Sequence, residues 1–97
     1  MIVEHAILHV KQGESAEFEA AMRAARELIA ASPGFHSIEV RRGAEVVGTY
    51  LLRVEWSDIA AHRDGFRQSD RYARWRDLLH HFYDSPPSVG YFSESIV

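Results

Sequence analysis

The sequence predicts an α+β fold of the ferredoxin-like type, in which one antiparallel sheet has helices packed on one face. Two observations predict it. Segments with a hydrophobic period of two and segments with helical periodicity follow one another in the order βαββαβ, and no linker or repeat separates them. A length of 97 residues suits one small domain. We therefore expect a single domain over residues 1–97.

The first strand and the first helix have clear patterns. Residues 2–10 alternate between two faces, which is the periodicity of a strand. Ser15 is predicted to cap the following helix, and Ser32-Pro33-Gly34 is predicted to end it. This helix has a single apolar face, formed by Phe18, Met22, Ala25 and Ile29.

Two further strands are predicted to form a hairpin. Residues 35–42 and 46–56 both alternate between apolar and polar positions, and the short connection Gly43-Ala44-Glu45 joins them. A helical segment then begins at Ser57-Asp58 and continues to about Gln68.

A second capping signal, Ser69-Asp70, divides this helical region. It begins a helix that Pro86-Pro87 ends. Residues 88–96 alternate weakly and are predicted to be the last strand. The apolar side of the second helix is formed by Tyr72, Trp75, Leu78, Leu79 and Phe82.

The predicted sheet has one face that no helix covers. In a monomer, Val3, Ile7 and Leu51, or the residues that alternate with them, would lie exposed on that face. An exposed apolar patch of this kind normally marks an interface. We therefore expect a homodimer that forms through the uncovered sheet face.

Composition and charge argue against several classes of protein. The formal net charge is −3, from 14 acidic and 11 basic residues, whereas a dedicated nucleic-acid binder carries a basic excess. No apolar run approaches the roughly 20 residues that cross a bilayer. The sequence contains no cysteine. We expect a cytoplasmic protein that binds neither nucleic acid nor membranes.

The chain resembles the antibiotic biosynthesis monooxygenase family over essentially its whole length. The resemblance rests on four segments: residues 54–57 (VEWS), 61–70 (AHRDGFRQSD), 75–79 (WRDLL) and 81–87 (HFYDSPP). It implies a dimeric α+β barrel. It indicates the reaction only loosely, since relatives include cofactor-free monooxygenases of quinol-like aromatics, haem-degrading enzymes and an isomerase-like branch that acts on a small sugar derivative.

One of these activities does not match the residues present. The haem-degrading branch uses an asparagine on the first strand, followed by a tryptophan and a histidine in the second helical region. The matching positions here are Ala6, Phe66 and Arg76, which argues against haem degradation. Many quinol-oxidising relatives have a histidine at the position of Phe66, and here His62 lies one turn earlier.

His62 is the candidate general base. It lies four residues before Phe66, so both side chains project from one helical face, the face that we expect to close over the sheet. A neutral imidazole there could accept a proton from a phenol, because histidine titrates near neutral pH. The alternative is a solvated histidine that pairs with Asp58 or with an arginine.

Phe66, Tyr72 and Trp75 form the candidate substrate-binding group around the predicted helix break. They are either ordinary core residues or the walls of a cavity for a planar aromatic ligand. Arg76 and Arg53 are candidate catalytic residues that would hold a phenolate or enolate oxygen. A solvated, salt-bridged face is predicted for the arginines that alternate with aspartates, namely Arg63, Arg67, Arg71 and Arg74.

The sequence contains no recognisable cofactor motif. His5 and His9 share one strand face but lack a third ligand, so we expect neither a cofactor nor a metal. The first hypothesis is a homodimeric, cofactor-independent monooxygenase, in which a small electron-rich aromatic substrate, once deprotonated, itself reduces O2. The alternative is a non-catalytic dimeric module that binds a small hydrophobic metabolite.

Overall fold

The computed structural model describes the whole chain, Met1–Val97, and its elements follow the predicted order. The strands are β1 (Ile2–His9), β2 (Phe35–Arg42), β3 (Thr49–Trp56) and β4 (Val89–Phe92), and the longer helices are α1 (Ser15–Ala30) and α2 (Asp70–Leu79). A π-helix (Ala61–Phe66) lies between β3 and α2, and a short 3-10 helix (His80–Phe82) follows α2. None of these helices has the length and apolar character needed to cross a membrane.

The four strands form one antiparallel sheet in the order β2-β3-β1-β4. The central strand β1 pairs with β3 on one side and with β4 on the other. In this register Glu4 of β1 lies between Val54 of β3 and Tyr91 of β4. Directly paired residues point to the same face of a sheet, so these three side chains lie together. The topology confirms the ferredoxin-like α+β fold.

The helices pack on one face of the sheet, as predicted. The apolar side of α1 faces the sheet, and Phe18, Ala25 and Ile29 of that side are almost completely buried. Burying a large apolar side chain contributes about 1.5–3 kcal/mol, so the single core cluster formed here stabilises the fold. The sheet contributes Ala6, Leu8, Tyr50, Leu52, Val54 and Trp56 to it.

The other face of the sheet has no helix packed against it. Val3 and Leu51 are half-buried there, whereas 40% of Ile7 and 57% of Phe92 are exposed. The face therefore carries the apolar residues that the alternation predicts. Homodimer formation through this face stays a prediction.

Two strand boundaries and one helix cap differ from the sequence prediction. β3 begins later than predicted, at Thr49, because Gly48 has a φ of 87° and turns the chain, a conformation that favours glycine. β4 ends at Phe92 rather than at Ile96. Ser15 is the first residue of α1, and no side chain caps this helix.

Candidate active site

A cavity of about 370 Å³ lies on the helix-covered side of the sheet. Its size and its mixture of apolar walls with a few polar groups are typical of ligand sites. No group of three or more histidine and acidic side chains is close enough to hold a metal ion, and function without a metal or cofactor remains a prediction. The ionisable residues of the lining are Glu4, His62, Arg67, Tyr72, His80, Tyr83 and Asp84.

The π-helix determines which side chains reach the cavity. Its hydrogen bonds join residues five apart, and the backbone N–H of Arg67 donates to the carbonyl oxygen of His62 at 2.9 Å. A π-turn contains more residues than an α-turn, and such turns frequently occur at functional sites. As a result His62, Phe66 and Arg67, which are four and five residues apart, all line the same cavity.

Two side-chain caps mark the ends of this segment. Asp58 accepts a hydrogen bond from the N–H of Ala61 at 2.8 Å. Ser69 accepts one from the N–H of Tyr72 at 3.3 Å and caps α2. Because such caps satisfy N–H groups that the helices leave free, they confirm the helix starts predicted from these residues.

A buried histidine and a buried carboxylate face each other in the cavity. Only 4% of His62 and 3% of Glu4 are exposed, so the alternative of a solvated histidine is wrong. Nε2 of His62 lies 3.4 Å from Oε2 of Glu4, which is longer than an ordinary hydrogen bond. Nδ1 of His62 lies 2.7 Å from the hydroxyl of Tyr91. Trp56 holds the carboxylate by donating its indole N–H to Oε1 of Glu4 at 2.9 Å.

Burial shifts the pKa values of this pair in opposite directions. Desolvation raises the pKa of Glu4 from 4.5 to about 7, although the hydrogen bond from Trp56 and the charge of Arg67 oppose it. Desolvation lowers the pKa of His62 from 6.5 to about 4, and Arg67 adds to this effect. Both shifts favour the uncharged forms. At neutral pH a neutral imidazole therefore lies beside a carboxyl group that is close to its titration point, an arrangement suited to proton transfer.

The aromatic residues predicted to bind substrate lie together around the cavity. Phe66 packs edge to face on Tyr72 and Trp75, with ring centroids 5.5 and 5.7 Å away, and its own ring lies 6.4 Å from that of His62. All of these residues line the cavity. Phe66 and Trp75 also belong to the hydrophobic core. The group therefore packs in or against the core and also lines the cavity, and its binding of a substrate stays a prediction.

The two arginines predicted to hold an anionic oxygen are not among the residues that line the cavity. Arg53 lies on the uncovered sheet face, 3.5 Å from both Glu39 and Glu55. Arg76 is exposed on α2, 3.7 Å from Asp77. The predicted placement of both guanidinium groups is thus corrected. Strand alternation directs Arg53 away from the helices, and the orientation of α2 exposes Arg76 to solvent.

Three residues of the site were not predicted from the sequence. Glu4 had a readable signal, because it alternates with Ala6 and Leu8 on the side of β1 that faces the core. Arg67 is exposed, as expected for a solvated face, but it forms no ion pair and also lines the cavity. Tyr91 reaches His62 only through the pairing of β4 with β1, for which the sequence has no signal.

Fold and cavity together define the class of the protein. It is a small ferredoxin-like domain with a cavity beside its sheet, and a buried histidine and a buried carboxyl group face each other in that cavity. The family model for antibiotic biosynthesis monooxygenase matches residues 1–78, from β1 through most of α2. The chain belongs to this family, as the resemblance in its sequence indicated.

Several bacterial proteins are similar to this chain in sequence or in fold. YczJ, an uncharacterised protein of Bacillus subtilis (strain 168), is 39% identical over 94 residues, which are 97% of this chain and 99% of YczJ. A predicted antibiotic biosynthesis monooxygenase from Bordetella bronchiseptica is 33% identical in sequence. Its crystal structure matches this fold with a TM-score of 0.94, over 98% of this chain and 97% of that one. SnoaB, a cofactor-independent oxygenase from Streptomyces nogalater, is 21% identical, with a TM-score of 0.85 over 99% of this chain and 94% of its own.

Proposed function

We propose that this protein is a cofactor-independent monooxygenase that oxidises a small electron-rich aromatic compound, of the quinol or anthrone type, with O2. One observation carries the proposal: a buried, neutral His62 faces an aromatic cavity beside the carboxyl group of Glu4. Such a pair can remove a proton from a bound substrate. SnoaB, described as a cofactor-independent oxygenase, supports the proposal because its chain has the same fold.

The hydrogen bond between Nδ1 of His62 and the hydroxyl of Tyr91 can have either group as its donor, and we propose that His62 is the donor in the active form. Burial raises the pKa of Tyr91, so Tyr91 stays a neutral phenol. When His62 donates its Nδ1–H to the oxygen of Tyr91, 2.7 Å away, the lone pair of Nε2 is free on the side of Glu4. We therefore assign Nε2 as the atom that accepts the proton of the substrate.

Glu4 prevents an imidazolium from accumulating when His62 accepts this proton. A lone imidazolium would be an unpaired charge in a buried site beside Arg67, whose charge already opposes it, and such a charge is strongly disfavoured. When Glu4 is ionised, the proton can pass from Nε2 to the carboxylate 3.4 Å away. The carboxylate is the stronger base of the two, because its pKa is about 7 and that of His62 is about 4. The active form thus contains neutral His62 and ionised Glu4, and it predominates above pH 7, because the pKa of Glu4 is about 7.

The deprotonated substrate supplies the electrons that O2 accepts. With an anthrone, the carbanion reduces O2 and a carbon–oxygen bond forms, and the resulting peroxide then loses water. The CH2 group becomes a carbonyl, one oxygen atom enters the product and the other leaves as water. The electrons lost by carbon equal those gained by O2, so no other reductant is needed. The protein contributes the base, the orientation and a cavity that limits access of water.

Oxygen uptake with a panel of quinols and anthrones tests this proposal. With isotopically labelled O2, we expect uptake above the buffer rate for at least one compound, with one labelled oxygen atom in the quinone product and the other in water. Uptake at the buffer rate across the panel would contradict the proposal. Binding without turnover, detected through the fluorescence of Trp75 in the cavity wall, would instead support the non-catalytic module that binds a hydrophobic metabolite.

A further inference from the structure

We propose that Arg67 forms an anion subsite in the cavity, and that the ligand is an aromatic compound with a carboxylate or another anionic substituent. The inference rests on the proposed function for the aromatic ring and adds the charged group that the ring carries. Arg67 carries the one guanidinium among the residues that line the cavity.

Arg67 has no acidic partner in the protein. Its neighbour Arg63 lies 3.4 Å from Asp64, but Arg67 forms neither an ion pair nor a side-chain hydrogen bond. A guanidinium presents a planar fork of donors that matches a carboxylate. An arginine that lines a cavity with this fork unoccupied is well suited to bind an anionic group.

Tyr72 holds the guanidinium against the aromatic wall of the cavity. The Cζ atom of Arg67 lies 5.3 Å from the centroid of the Tyr72 ring, a distance at which a cation is attracted to an aromatic face. Tyr72 in turn packs edge to face on Phe66. A flat ligand that packs on this wall therefore places a ring substituent close to the guanidinium. Because Arg67 is itself an exposed residue, the subsite lies toward the opening of the cavity.

The charge of Arg67 also acts on the proposed acid–base pair. Burial is the larger influence, but the guanidinium further lowers the pKa of His62 and opposes the rise in the pKa of Glu4. An anion bound at Arg67 would offset this charge and thus raise the pKa values of both His62 and Glu4 when a ligand is present. Two acidic residues line the cavity, Glu4 and Asp84. Neither forms an ion pair with Arg67, so its guanidinium remains available to a ligand.

Binding of a matched acid and ester tests the subsite without turnover. A dimethoxybenzoate and its methyl ester share one aromatic ring and differ in charge, and their methylated oxygens have no proton to remove. We expect calorimetry to show that the wild-type protein binds the acid about tenfold more tightly than the ester, as a charge-assisted hydrogen bond predicts. Arg67→Gln should abolish this preference, and Arg67→Lys should retain part of it.

Arg63→Gln is the matched control, because Arg63 is exposed on the same segment and does not line the cavity. We expect this variant to keep the wild-type preference for the acid. Equal affinities for acid and ester, a preference that survives in Arg67→Gln, or no binding of either compound would overturn the anion subsite. Since neither compound is turned over, these outcomes are independent of the oxygen-uptake experiment on the proposed function.

Discussion

His62→Gln is expected to lower the rate of oxygen uptake by about a hundredfold to ten-thousandfold, the usual contribution of a positioned general base. Glutamine is polar and neutral, as His62 is in the folded protein, where burial lowers its pKa to about 4. The substitution therefore adds no charge to the buried site, but the amide cannot take up the proton that Nε2 accepts. The measurement is the initial rate with the most active compound of the panel.

His81→Gln is the control for this substitution. His81 is exposed on the 3-10 helix and does not line the cavity, so its replacement should leave the rate unchanged. Circular dichroism and thermal unfolding establish that both variants are folded. Equal rates in the two variants would exclude His62 as the base.

Glu4→Gln is expected to make the protein more stable at pH 8, by up to about 3 kcal/mol. Burial raises the pKa of Glu4 from 4.5 to about 7, so at pH 8 the folded protein contains an ionised carboxylate that is only 3% exposed. Glutamine removes this charge. Its amide oxygen can still accept the hydrogen bond from Trp56, and its NH2 group can donate to Nε2 of His62.

The sign of this effect follows from proton linkage. Because the pKa of Glu4 is higher in the folded protein, the folded state binds more protons between pH 4.5 and about 7, and stability falls as pH rises through this window. For His62 the folded pKa is lower, so stability falls as pH decreases from 6.5 toward about 4. Between about pH 4.5 and 6.5 the two effects oppose each other and nearly cancel, so the contribution of the pair to stability changes little there and falls on either side of this range.

Urea unfolding of the wild type and of Glu4→Gln at weakly acidic and alkaline pH measures this effect. The two proteins should differ most on the alkaline side, where the wild type contains the buried charge of Glu4 and the variant does not. Glu27→Gln, which changes an exposed carboxylate of α1, should follow the wild type. A Glu4→Gln protein that is less stable than the wild type at pH 8 would show that the buried carboxylate is not a destabilising charge.

Much of the fold was predictable because each element has a local signal. The spacing of Phe18 and Ile29 identified the buried side of α1, and Asp58 and Ser69 marked the starts of two helical segments. The error at the start of β3 arose because Val46 continues an apolar pattern into a turn. Periodicity alone does not distinguish a strand from an apolar turn when one positive-φ glycine changes the direction of the chain.

The candidate site was only partly predictable, and the geometry explains the difference. His62 and Phe66 were found because four-residue spacing keeps them on one side of either an α- or a π-turn. Arg67 was missed because only the wider π-turn directs it into the cavity with them. Arg53 was misplaced because alternation separates the two faces of a strand without showing which face the helices cover.

Glu4 and Tyr91 illustrate a second limit of sequence reasoning. Each reaches His62 from a different strand, and their positions depend on the register between β1 and β4. Register is set by the hydrophobic pattern and by turn geometry. No turn joins β1 to β4, and a four-residue strand such as β4 has too short a pattern to specify the register. The sequence therefore predicted the candidate base but not the groups that would orient it and take up its proton.

The pH dependence of kcat/KM tests most directly the central claim that Glu4 and His62 act as one acid–base pair. For a substrate that does not itself titrate in this range, the wild-type value should rise through about pH 7, where Glu4 loses its proton, and then level off. His80 also lines the cavity and burial lowers its pKa, so the variant Glu4→Gln is needed to assign the transition to Glu4. In Glu4→Gln the rise should be absent. A wild-type profile without a transition near neutral pH, or the same transition in Glu4→Gln, would contradict the claim.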